Sequence, residues 1–231
     1  MNYYKIVEVT PPSYYGTIPQ SQKMTEGYDY SAPNSISKTS MFEKIENSPN
    51  FDAIHLEYGA KLTDWISSMN TIASQAMLIV STKLSSTILT HKIQQELQVF
   101  DAYVMWRKKK YNYKALYSYN LALDYVDFKN SKLATIDWIM RSKIDDLTIN
   151  SKEEFNSEKE YYRSNLRELK RYVSFSRLSL KKQINHDFFR LSLDGGASGY
   201  YVSEQLKNAI KEAECTGIAF TSVEGLNWVR E

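Results

Sequence analysis

Cysteine is nearly absent: Cys215 is the only one in 231 residues. That excludes an intramolecular disulfide and any cysteine-rich zinc site. Charge of one sign is also missing, since a formal net charge of +2 leaves no electrostatic footprint of a nucleic-acid binder. Long apolar runs are missing too. The longest, residues 76–80, is far too short to span a bilayer. The first residues, "MNYYKIVEVTPPSYYG", carry no basic start followed by an apolar run, so no secretory signal is expected and a reducing, cytoplasmic setting follows. Histidine is scarce, and His55, His91 and His186 lie far apart without a second ligand at zinc spacing. Glycine clusters once, in residues 195–199. That run lacks the Lys-Ser/Thr of a phosphate loop and the strand-then-helix setting of a dinucleotide fingerprint.

What is present is an ordinary apolar share of 42%, enough to build a packed core, and 18 tyrosines. Tyrosine couples buried area to a polar tip, which suits half-buried sheets first and recognition surfaces second. Residues 3–9 alternate as a first strand, stopped by Pro11 and Pro12. Residues 13–50 read as a long ordered loop with one short helix at 40–46. Strands are expected at 51–56, 76–80 and 97–106, within 115–128 and 136–149, and at 172–180, 187–193 and 218–223. The strands at 172–180 and 187–193 are expected to be partners or near neighbours. Leu62, Trp65, Ile66 and Met69 follow helical spacing.

Two stretches share the pattern Val-Ser-x-x-Leu-x-x-x-Ile: Val80, Ser81, Leu84 and Ile88, then Val202, Ser203, Leu206 and Ile210. Each reads as a strand, a serine cap and a helix. Gly217 is expected at the position just past the second helix. Ser151-Lys-Glu-Glu154 predicts a capping box. Behind it Phe155, Tyr162, Leu166, Leu169 and Val173 form an apolar stripe, and Glu160 with Arg163 and Glu168 with Arg171 are spaced to pair. The expected fold is α+β, a mixed, mostly antiparallel sheet with a few helices and a possible repeated strand-cap-helix unit. A single domain over 1–231 is expected, with a possible subdivision into 1–128 and 129–231.

Chemistry is sparse. Ser81 and Ser203 sit where a nucleophile elbow would, but without the glycines that such a strained turn needs, so capping explains both. Asp145 with Asp146, and Asp124 with Asp127, lack a third ligand. Cys215 lies on an apolar helical stretch and reads as a packing residue. The sharpest charge cluster is Arg107, Lys108, Lys109 and Lys110, flanked by Trp106, Tyr111 and Tyr113. It is either a solvated tip or a grip on phosphate or on an acidic surface. No catalytic residue, metal ligand or cofactor site is expected.

The C-terminal third, "HDFFRLSLDGGASGYYVSEQLKNAIKEAECTGIAFTSV", resembles the end of the immunity protein 11 family of bacterial polymorphic toxin systems. The matching residues are Phe189, Arg190, Leu191, Val202, Ser203, Glu204, Leu206, Lys207, Ala209, Thr216, Gly217 and Phe220. The opening Tyr-Tyr strand, "LIVSTKL" and "YVDFKNSKL" are similar as well, though the specific match covers about the last 45 residues. The resemblance implies a non-enzymatic antidote that binds a cognate toxin domain, with no nucleic acid or membrane as partner. It carries no catalytic residues. Candidate contact residues come from the aromatic and basic surface: Tyr14, Tyr15, Tyr28 and Tyr30 in the long loop, and Trp106, Arg107, Lys108, Lys109, Lys110, Tyr111 and Tyr113 at the basic tip. Two other readings stay open: a small enzyme using Ser203 or a carboxylate pair, and a phosphate- or nucleic-acid-binding module built on residues 107–110.

Overall fold

The computed structural model describes residues 2–9, 16–17, 19–21, 23–24, 26–39, 43–51, 54–67, 77–94, 96–119, 122–191, 193 and 197–223. The fold is α+β, with three mostly antiparallel sheets and a few separate helices. Its strands are β1 (Tyr3–Glu8), β2 (Lys23–Met24), β3 (Ile54–His55), β4 (Trp65–Ile66), β5 (Met77–Ser81), β6 (Leu97–Trp106) and β7 (Lys109–Ser118). They continue as β8 (Lys132–Asp137), β9 (Lys143–Leu147), β10 (Arg171–Arg177), β11 (Phe188–Leu191), β12 (Gly199–Ser203) and β13 (Ile218–Ser222). The helices are α1 (Thr82–Leu89), α2 (Lys152–Ser164), α3 (Leu166–Leu169) and α4 (Glu204–Glu212). Sheet orders are β2-β3-β6-β7-β5-β4, β11-β12-β1-β13 and β10-β8-β9. No helix among the described residues is long and apolar enough to cross a membrane.

The Val-Ser-x-x-Leu-x-x-x-Ile echo is structural. Ser81 Oγ accepts the Leu84 amide at 3.1 Å and Ser203 Oγ accepts the Leu206 amide at 3.2 Å, so each serine caps its helix. Each hydroxyl also donates to an aspartate at 2.6 Å, Ser81 to Asp64 Oδ1 and Ser203 to Asp187 Oδ1. The backbone repeats the link, because the Ser81 amide donates to the Asp64 carbonyl and the Ser203 amide to that of Asp187. Across the sheet, Ser81 stands opposite Tyr113 and Ser203 opposite Tyr3. The Tyr113 hydroxyl donates to the carbonyl of Thr63, just before Asp64, and the Tyr3 hydroxyl reaches that of His186, just before Asp187.

The equivalence extends to strand order. β6-β7-β5-β4 in one sheet corresponds to β13-β1-β12-β11 in the other, with every neighbouring pair antiparallel. In the first unit all strands follow in sequence. In the second, the slot of β7 is filled by β1 from the start of the chain. The two units face each other: Leu78, Val80, Leu84, Ile88 and Leu116 share one apolar cluster with Tyr200, Val202, Leu206, Ile210 and Ile6. Their contacts are reciprocal. The Thr216 amide, beyond α4, donates to Asp64 Oδ2 of the first unit, and the Lys92 amide, beyond α1, donates to Asp187 Oδ2 of the second. Such exchange is the signature of a self-complementary interface.

Two further clusters lie on the outer faces of these sheets. One packs Ile66, Ile79, Ala115 and Tyr117 against the long loop through Met24, Ile36 and Phe51. The other joins Tyr3, Phe189 and Tyr201 to Leu133 and Phe175 of the third sheet and Phe155 of α2.

Several expectations need correction. Residues 65–66 form a strand, because Trp65 and Ile66 pair with Val80 and Ile79 while Asp64 is clamped by Ser81 and Thr216. Helical spacing of a few apolar side chains could not anticipate those long-range bonds; Met69 lies outside the described residues. In the long loop the short helix is a 3-10 turn at Ile36–Lys38, and residues 43–46 are not helical. The apolar stripe behind Ser151 is broken at Asn165, so α2 and α3 are separate and Val173 belongs to β10. Within the capping box, Ser151 accepts the Glu154 amide, while Glu154 reaches back one residue further, to the Asn150 amide. β10 pairs with β8 and not with β11, which joins β12. Arg171 accordingly pairs with Asp145. Past α4 the left-handed residue is Glu214, at φ 51°. Gly217 serves the chain crossing instead: a Cβ there would approach the Trp65 carbonyl oxygen to 2.7 Å.

Candidate functional site

Two hairpin tips project from this frame. The first joins β6 to β7. Trp106 pairs with Lys109, leaving Arg107 and Lys108 as a two-residue turn. Both take positive φ, 48° and 64°. That turn matches the right-handed twist of the strands but normally recruits Asn and Gly, because a Cβ is strained there. The Arg107 guanidinium lies 4.5 Å from the centre of the Trp106 ring, and Lys110 Nζ lies 3.8 Å from that of Tyr103. Cation–π attraction thus holds two of the four basic side chains in place. Trp106 is itself anchored, its indole N–H donating to the Ala60 carbonyl at 2.8 Å, with Tyr111 beside it.

The other sequence candidates divide. Tyr113 is buried, its hydroxyl held by Thr63, and supports the tip from beneath; burial raises its pKa. Tyr28 and Tyr30 meet edge to face and organise the long loop. The Tyr28 hydroxyl donates to the Asn50 carbonyl and accepts the Ile36 amide, and the Tyr30 hydroxyl accepts the Met24 amide. Tyr30 keeps an exposed edge. Tyr14 and Tyr15 lie outside the described residues.

The second tip, between β8 and β9, is not singled out in the sequence, where residues 136–149 are expected to supply one or two strands without a turn being placed between them. Trp138, Ile139 and Met140 are exposed to 45, 72 and 74%. The turn is rigid. Asp137 Oδ1 accepts the Ile139 and Met140 amides at 2.8 and 2.7 Å, which together hold its carboxyl below the usual carboxylate range. The Trp138 amide donates to the Lys170 carbonyl, and Arg141 lies over Tyr172. The available sequence signal was a polar break, Asp137 and Arg141-Ser142-Lys143 bracketing three apolar residues.

Other candidate groups are spoken for. Ser203 is fully buried between Asp187 and the Leu206 amide. His186 Nδ1 is bonded to the Tyr125 hydroxyl, and His91 Nδ1 to the Thr87 carbonyl. Asp124 and Asp145 form ion pairs with Lys152 and Arg171, and Asp127 binds Asn130. Cys215 is half-buried, and burial assisted by the Asp64 charge pushes its thiol up to about 11, away from reactivity. Among the described residues, no three His, Cys, Asp or Glu side chains converge to hold a metal ion. Rigid tips bearing tryptophan, methionine and arginine have the composition of protein-contact surfaces. No family model matches the chain, and no curated protein matches it.

Proposed function

We propose that the chain is an immunity protein, neutralising a cognate toxin domain by stoichiometric binding. The resemblance of the last 45 or so residues supports this reading. The observation that carries it is the turn of Trp138, Ile139 and Met140, three consecutive apolar side chains held in water by a rigid tip. Apolar groups so presented are characteristic of contact sites, and a turn whose backbone is already fixed has less chain entropy to lose on docking. The basic β6–β7 tip offers a second contact, whose charge would speed encounter with an acidic surface.

The proposal predicts a toxin domain encoded beside its gene, and co-expression with that domain tests it. A one-to-one complex and protection from the toxin are expected. Trp138→Ala combined with Met140→Ala should weaken the complex at least a hundredfold without lowering the melting temperature. The absence of both complex and protection would refute the reading.

A further inference from the structure

At the other end of the small sheet, where β8 begins, lies a hollow of about 540 Å³. Its walls carry Lys129, Lys132, Lys143 and Arg177 against a single carboxylate, Asp146. Lys143 and Asp146 satisfy each other at 2.6 Å. Among the described residues, Lys129, Lys132 and Arg177 make no ion pair. Lys132 and Arg177 are also direct cross-strand partners on β8 and β10, a placement that costs stability for like charges. Three uncompensated cations thus meet in one hollow of a chain whose total net charge is only +2.

The backbone that carries them is fixed. Asp127 accepts the Asn130 amide and side-chain N–H. Ser131 Oγ donates to the Asp127 carbonyl at 2.7 Å and accepts the Ser179 amide at 3.0 Å. Ser179 Oγ donates in turn to the Asn130 carbonyl, and the Asp127 amide to the Ser179 carbonyl. The "DFKNSK" turn is thereby stitched to the segment just beyond Arg177. Phe128, Leu133 and Ile149 form a buried floor, so the hollow cannot collapse without disturbing the core. Thr148, Asn150 and Ser176 add polar groups to its walls. A neighbouring hollow shares Phe128, Lys129 and Asn150, but there Lys129, Lys152 and Lys181 are balanced by Asp124, Asp127 and Glu153, so the surplus belongs to the first hollow alone.

We infer that this cleft binds a nucleotide-sized phosphate ester of the nucleoside di- or triphosphate class, its phosphates meeting Lys129, Lys132 and Arg177. The volume lies within the range of small-molecule sites, roughly 300–1,000 Å³. A surplus of three positive charges matches a polyphosphate better than a single carboxylate, and the guanidinium fork of Arg177 suits phosphate oxygens. The charge surplus of this hollow is met by one compact polyphosphate. Arg177 also lines a second hollow with Lys181 and Lys182, so an extended acidic chain reaching across both is the competing ligand that the titration must separate.

Calorimetric titration of the full chain with ATP, ADP and inorganic phosphate tests the assignment. ATP and ADP should bind at least tenfold tighter than inorganic phosphate. Lys132→Gln with Arg177→Gln should weaken ATP binding at least tenfold and melt no lower than the wild type, since it relieves a like-charge pair. Lys211→Gln, on the exposed side of α4, should change nothing. Absence of nucleotide binding, equal loss in Lys211→Gln, or a lower melting temperature in the double variant would overturn the inference. So would tighter binding of poly-glutamate or single-stranded DNA than of ATP. Toxin binding is read separately, so either result stands without the other.

Discussion

Ser81 and Ser203 make the same three bonds and differ mainly in burial. Ser203 is fully buried, so Ser203→Ala removes a cap and leaves Asp187 Oδ1 without its partner in a dry site, the Lys92 amide still holding Oδ2. The expected loss is roughly 2–3 kcal/mol. Ser81 is half-buried, where water can replace the hydroxyl, and Ser81→Ala should cost about 1 kcal/mol. Urea denaturation midpoints of the two variants check that order. Asp64 adds a pH dependence. Burial pushes its pKa up, but hydrogen bonds from Ser81 and Thr216, with Lys83 beside them, outweigh burial and leave it lowered. A carboxylate whose folded pKa lies below the unfolded value, near ~3.9, contributes fully at neutral pH. That contribution is lost as pH falls below about 4 and through the folded value. Thermal melts between pH 2 and 6 should show Asp64→Asn with a shallower acid decline than the wild type.

At the scale of elements, the β6–β7 turn forces Arg107 and Lys108 into a left-handed conformation that favours Asn and Gly. Arg107→Asn with Lys108→Gly should therefore raise stability, by about 1–2 kcal/mol in total. If that tip contacts the toxin, complex formation should weaken at the same time; a stability curve and a binding isotherm separate the two effects. The β8–β9 turn depends on Asp137. Asp137→Ala should speed hydrogen exchange at the Ile139 and Met140 amides while leaving exchange in β10 unchanged. The basic tip was legible because four like charges in sequence mark themselves. The apolar tip was not, because Trp138, Ile139 and Met140 extend an apolar pattern that reads as strand until the turn is seen.

For the whole molecule, the decisive placement is that of β1. It lies between β12 and β13 and completes a unit whose other strands are about two hundred residues away in the chain. Deleting residues 1–9 should leave β13 unpaired and β12 with β11 alone, and expose the shared cluster at Val202 and Leu206. Loss of a cooperative melt by circular dichroism is the expected outcome, and a retained sharp transition would contradict the equivalence of the two units. The reciprocal clamps, Thr216 on Asp64 and Lys92 on Asp187, tie each unit to the helix end of the other.

The sequence by itself determined the local units: strand, serine cap and helix at Ser81 and Ser203, the capped start of α2, and the long β6. Each rests on side-chain alternation or on bonds to residues a few positions away, which a local pattern encodes. Only the tertiary structure decided that residues 65–66 are a strand, that β10 joins β8, and that β1 fills the slot corresponding to β7. Those outcomes depend on hydrogen bonds and burial between residues far apart in the chain. The opening of the Lys129–Arg177 cleft is of the same kind, because its charges come from three separate strands or turns. The Val-Ser-x-x-Leu-x-x-x-Ile echo spans both levels: its pattern was visible in the chain, but the meeting of its two copies in one cluster belongs to the fold.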